Sequence, residues 1–222
     1  MAGELHFDTN AEDWQHMTAE LANYSKAKLW RDYTWHGARM AVIDPEKFMQ
    51  IGLTDADWEG MRRELENYRR EKVWDSFAAR AARMALIDRK RFAQIPIDDT
   101  AWKNISDILR TYLVRNDWNN FAGQAYHIKT IDPSKIGDAE ITEKVWNGMM
   151  TQLKNFEQLE IWGQYAKLAA YIKVISPERF AKDVKISAGA WQRMAEELEL
   201  KRQKNYWAAF AAQASRIKIL LT

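Results

Sequence analysis

Residues 53–87 read LTDADWEGMRRELENYRREKVWDSFAARAARMALI, and their periodicity decides the fold. Trp58, Met61, Leu65 and Tyr68 recur at i, i+3, i+7 and i+10, which places them on one face of a helix predicted over roughly 55–71. Thr54 stands at its N-cap with Asp57 three residues on, and Leu53 and Trp58 take the two places of a hydrophobic staple. Trp74, Phe77, Ala78, Ala81, Met84 and Ile87 mark a second helix over roughly 73–87. Its apolar stripe is wider, so it is expected to be the more buried of the two.

The same pattern returns along the chain. Shifting the sequence against itself by 44 places superposes Trp14, Trp58, Trp102 and Trp146, and one extra residue brings in Trp191. Leu21, Leu65, Leu109, Leu153 and Leu198 follow in register, then a second tryptophan row, Trp30, Trp74, Trp118, Trp162 and Trp207. Tyr33, Phe77, Phe121, Tyr165 and Phe210 come next, then a small column (Gly37, Ala81, Ala125, Ala169, Ala214) and two aliphatic ones ending at Ile217 and Leu220. Between copies, Ile43-Asp44-Pro45-Glu46-Lys47-Phe48 reads as an N-cap, a proline at the first helical position and a staple, and so announces a short third helix. The device recurs at Ile131-Asp132-Pro133 and Ile175-Ser176-Pro177, and without proline at Ile87-Asp88.

A fixed period of this length overrides any segment-by-segment guess. The expectation is an all-α chain forming one repeat domain over 1–222, with a lead-in at 1–10 and copies at 11–54, 55–98, 99–142, 143–186 and 187–222. Each copy holds two long helices and a short third one. Unit length and helix rhythm over residues 11–221 resemble armadillo and HEAT repeats, whose units run about 40 to 47 residues. That resemblance implies a right-handed α-solenoid with a groove along one side.

Composition narrows the function. The 222 residues include no Cys, which removes disulfides, thiolate metal sites and a cysteine nucleophile. The formal net charge is only +2, no footprint for a phosphate backbone, but it is unevenly spread: residues 1–54 hold five basic and eight acidic side chains, residues 187–222 six and three. The opening MAGELHFDTN has neither a basic region nor an apolar core, and no stretch approaches the ~20 apolar residues of a membrane span, so a cytoplasmic protein without membrane partners is expected. His6, His16, His36 and His127 form no two-histidine metal pair on one helix face, and no phosphate-binding glycine loop or nucleophile elbow exists. Asp55, Asp57 and Glu66 approach a calcium-loop spacing, but within a helix carrying Trp58, Met61 and Leu65. Neither an enzyme, a cofactor nor a metal is expected.

The two tryptophan rows share the apolar phase of their helices and read as packing markers. Trp35 does not: its equivalents are Ala79, Gly123, Lys167 and Ala212, so packing does not demand an aromatic there, and it becomes a binding candidate. In repeat proteins, ligands are met by solvent-facing columns that vary. Positions i, i+4 and i+7 of the second helix read Asp32, His36 and Arg39, then Ser76, Arg80 and Arg83, then Asn120, Gln124 and His127. The fourth and fifth copies supply Gln164, Leu168 and Tyr171, and Ala209, Gln213 and Arg216. As a solvated ladder these suit an acidic peptide or a phosphate-bearing partner. The leading expectation is a noncatalytic protein- or peptide-binding scaffold using a groove lined by the second helices. The alternative is nucleic-acid or phosphate-ligand binding through the Arg/His ladder and the basic last copy. The apolar end Ile217–Leu221, with an acidic first and basic last copy, also raises head-to-tail self-association.

Overall fold

The computed structural model describes residues 9–136 and 141–222. His6 and most of the 1–10 lead-in therefore lie outside the described residues. Within them the chain is all-helical, with thirteen α-helices and no strand.

Five first helices, α1 (Ala11–Lys26), α4 (Asp55–Arg70), α7 (Asp99–Val114), α9 (Glu143–Gln158) and α12 (Ala188–Gln203), are each 16 residues long. Each begins at a polar cap: Asn10, Thr54, Asp98, Thr142 and Ser187 accept the backbone N–H three residues on. The second helices are α2 (Trp30–Ile43), α5 (Trp74–Ile87), α8 (Trp118–Ile131), α10 (Trp162–Ile175) and α13 (Trp207–Leu221). First and second helices are joined through a left-handed residue, in turn Lys28, Lys72, Asn116, Glu160 and Asn205. The turn satisfies the last carbonyls of the first helix, as where Leu29 N–H donates to Tyr24 O at 2.9 Å.

The third helices are less uniform than expected. α3 (Pro45–Ile51) and α11 (Pro177–Asp183) are full, α6 (Arg89–Phe92) is a single turn, and Pro133–Lys135 is a 3-10 turn. In α6 no proline sets the first turn, and Arg89, Lys90 and Arg91 oppose the positive end of the helix dipole. Ser176 makes no side-chain cap bond, unlike Asp44, which accepts Lys47 N–H at 3.0 Å.

The second helices pack side by side as α2–α5–α8–α10–α13, and α13 then packs against α2. The inner layer is therefore a closed circuit. Outside it each first helix bridges two inner helices: α4 spans α2 and α5, α7 spans α5 and α8, and so on to α1, which spans α13 and α2. The expected groove along one side is replaced by a space enclosed by the inner helices. The joint between the chain's ends copies an ordinary joint between neighbours. Trp30 lies on Gly60 and Trp118 on Gly148. Trp207, in the same column, stacks on His16, the equivalent of Gly60, with centroids 4.5 Å apart and planes 8° off parallel. Asp13 matches Asp57, which accepts the Ser25 hydroxyl of the preceding first helix; Asp13 instead takes a bidentate pair from Arg202 at 2.8 Å for each bond.

The core lies between the layers. Met17, Leu21, Met61, Leu65, Phe77 and Phe210 are buried there, with the tryptophans packed against them. The small column allows close approach: a Cβ on Gly37 would stand 3.4 Å from Ile87 of the next copy and 3.5 Å from Phe48 of the third helix. No described helix is long and apolar enough to cross a membrane.

Candidate functional site

An inner helix is walled by two neighbouring inner helices and two first helices, so only a narrow strip of it faces the enclosed space. In α2 that strip is Trp35, Ala38, Arg39 and Val42; in α5 it is Ala79, Ala82, Arg83 and Leu86. Arg39, Arg83, His127, Tyr171 and Arg216, one residue from each inner helix in one repeat column, meet at the middle. On one side the cavity measures about 330 Å³ and is bordered by Trp35, Asp75, Ser76, Asn119, Asn120 and Lys167. On the other it narrows to about 60 Å³ between Val42, Leu86 and Ile219.

The charges there are unbalanced. Among the described residues, no ion pair ties Arg39, Arg83, Lys167 or Arg216 to a carboxylate, although ion pairs are common elsewhere on the protein. The Arg39 guanidinium lies on the Trp35 ring, 3.3 Å from its centroid, and donates to Trp35 O at 2.7 Å. Arg216 donates to Gly163 O at 3.1 Å. Neither Arg83 nor Lys167 hydrogen-bonds to a described residue; the Lys167 ammonium sits 5.8 Å from the Tyr171 ring. The acids beside them are Asp75, exposed and accepting Ser76 N–H at 2.6 Å, and Glu197, which pairs with Lys201 through one oxygen, keeps the other buried without a hydrogen-bond partner, and favours the charged form of Arg216.

Titration reflects the confinement. Burial, then Arg83 and Arg216, pulls the Arg39 guanidinium well below its usual range, and burial also lowers Arg83 and Arg216. Arginine stays charged in proteins, so these shifts reflect chiefly the cost of burying the guanidiniums, to which neighbouring arginines add at Arg39 and Arg83. His127 is pushed down to about 3 by burial, Arg83, Lys167 and Arg39, and is therefore neutral at pH 7. Its Nδ1 is buried without a hydrogen-bond partner, as is Asn119 Oδ1 at the wide side. Tyr126 stacks on Tyr171 at 4.6 Å, and burial raises it to about 12.

The expected ladder divides. Arg39, Arg83, His127, Tyr171 and Arg216 come together, and Trp35, Asn120 and the largely buried Gln124 join them at the wide side. His36, Arg80, Gln124 and Gln213 do not lie on a solvated face: all four are buried, as is Leu168. The first helix covers that column. His36 Nε2 is 3.0 Å from Met17 O, and Gln124 Nε2 donates to the equivalent carbonyl, Ile105 O, at 3.4 Å. Arg80 pairs with Glu64 at 2.9 Å and donates to Trp30 O and Arg31 O. Gln213 stands 3.5 Å from Arg216. Asp32 faces Arg31 at 3.6 Å on the outside, in a surface cleft shared with Arg63 and Asn67, and Gln164 is exposed beyond the cavity wall. Sequence reasoning missed Lys167 and Tyr126 as wall residues. Lys167 was legible, since it shares the Trp35 column; Tyr126 belongs to a column that is otherwise small (Ala38, Ala82, Ala170, Ser215).

Among the described residues no group of three or more His, Asp or Glu side chains is placed to hold a metal ion. Asp57 of the calcium-like spacing is committed to the cap with Thr54. No family model, no curated protein and no solved structure matches this chain.

Proposed function

We propose that this protein is a noncatalytic binding module whose ligand is acidic and is held in the cavity enclosed by the inner helices. The carrying observation is the convergence of Arg39, Arg83, Lys167 and Arg216, none of them ion-paired to a described carboxylate, against a single acid, Asp75, on the wall of the wide side. Holding like charges together costs stability, and an incoming anion removes that cost while gaining charge-assisted hydrogen bonds in a site partly shielded from water. The closed circuit disfavours the two larger ligands raised by the sequence. An extended peptide has no groove to lie in along the inner helices, and a duplex, whose major groove alone is about 12 Å wide, exceeds a cavity of about 330 Å³. Self-association through free ends loses its basis, because α13 packs on α1 and α2.

The test is a thermal-shift series at low salt with inorganic phosphate, pyrophosphate, citrate and hexaglutamate. At least one of them is expected to raise the wild-type Tm in a saturable way, with no shift in an Arg83→Gln, Arg216→Gln variant. If none stabilises the wild type, or if the variant responds equally, the reading falls.

A further inference from the structure

Resting on the acidic-ligand reading, we propose that the ligand is a small molecule carrying two linked phosphate groups, bound among Arg39, Arg83 and Arg216. Shape favours phosphate over carboxylate. A carboxylate is planar and is satisfied by one guanidinium fork, whereas phosphate oxygens point in several directions and take donors from separate sides. The three guanidiniums come from three separate helices, α2, α5 and α13, adjacent members of the circuit, and converge on one cavity. His127, neutral and carrying an unpartnered Nδ1, adds a further hydrogen-bonding group from α8.

Charge favours two phosphates over one. A phosphate monoester carries about −1.5 to −2 near pH 7, which leaves three arginines and Lys167 in surplus. Two linked groups carry roughly −3 on the same basis and come close to balance. The protein itself shows what a structural arginine looks like here. Arg80, one turn from Arg83, is buried and has Glu64 at 2.9 Å, whereas none of the middle-column arginines has an ion pair with a described residue.

Size limits the rest of the molecule. The narrow side, about 60 Å³, stops a polypeptide from threading through. The wide side, about 330 Å³, matches the lower end of small-molecule sites, and there Trp35 and the unpartnered Asn119 Oδ1 stand ready for a polar, flat group.

The experiment is titration calorimetry of the full chain at low salt with pyrophosphate, a nucleoside diphosphate, inorganic phosphate, citrate and hexaglutamate. Pyrophosphate or the nucleoside diphosphate is expected to bind at least about tenfold more tightly than phosphate or citrate, and a further gain for the nucleoside compound would place its base in the wide side. Arg83→Gln should weaken binding by about tenfold or more, and Arg63→Gln on the outer surface should leave it unchanged. Arg216→Gln replaces the first variant if Arg83→Gln loses its helical circular dichroism. Citrate or hexaglutamate binding as tightly as pyrophosphate would overturn the diphosphate assignment and keep the acidic-ligand reading. No heat from any of the five would overturn both.

Discussion

Arg80 and Arg83 stand three residues apart on α5, yet opposite behaviour is expected of them. Arg80 satisfies Glu64 and the carbonyls of Trp30 and Arg31 across the joint between two copies. Arg80→Met strands those groups and should lower stability by about 3 kcal/mol. Arg83 has no hydrogen bond to a described residue and is opposed by Arg80. Arg83→Met should raise the Tm of the ligand-free protein by a few degrees, on the order of 2–4 °C, while removing any stabilisation by anions. Thermal denaturation of both variants decides the matter, and an Arg83→Met protein as weak as Arg80→Met would make Arg83 structural. The sequence could not separate them. Both columns vary between copies and both are mainly polar, and the rotation of about 60° between them on the helix matters only once α4 covers one and the cavity opens at the other.

At the scale of elements, local chemistry was legible almost to the residue. The first helix expected at 55–71 runs Asp55–Arg70, and the second, expected at 73–87, runs Trp74–Ile87. The turns between them were not, because the left-handed residue is never glycine in the five copies. What replaces the usual signal is tertiary: the turn sets the second-row tryptophan onto the next first helix. Gly60 and Gly148 exist for that contact, since a Cβ at either would fall inside the indole of Trp30 or Trp118. Gly60→Ala should therefore cost about 1–3 kcal/mol in urea denaturation. Gly189→Ala meets only Ser187 Oγ at 3.9 Å, and helix propensity should make it neutral or stabilising by up to about 1 kcal/mol. Equal effects at the two sites would refute the tryptophan contact as the reason for glycine.

For the whole molecule the joint between first and last copies is the informative place, because there two helices distant in sequence replace a covalently connected neighbour. Asp13 is 1% exposed and both its oxygens are held by Arg202. Arg202→Met leaves that carboxylate buried with only the Asn10 cap, and should cost about 2–4 kcal/mol. Hydrogen exchange should then quicken first in α1, α2, α12 and α13 and last in α7 and α8 across the ring; a change spread evenly over all five pairs would show that the joint is no weaker than the rest. The five helix pairs, the caps of the first helices and the apolar buried columns follow from the sequence alone, because helix periodicity and capping act within a few residues and repeat visibly; the buried polar column through His36 and Arg80 does not. Closure, the cavity and the unbalanced arginines inside it were decided only in three dimensions. Whether five copies spread into an open superhelix or return on themselves depends on small rotations accumulated from joint to joint, and no single copy encodes that sum. Once the circuit closes, the column through Arg39, Arg83, His127, Tyr171 and Arg216 is drawn from an outer face to the centre, where like charges meet.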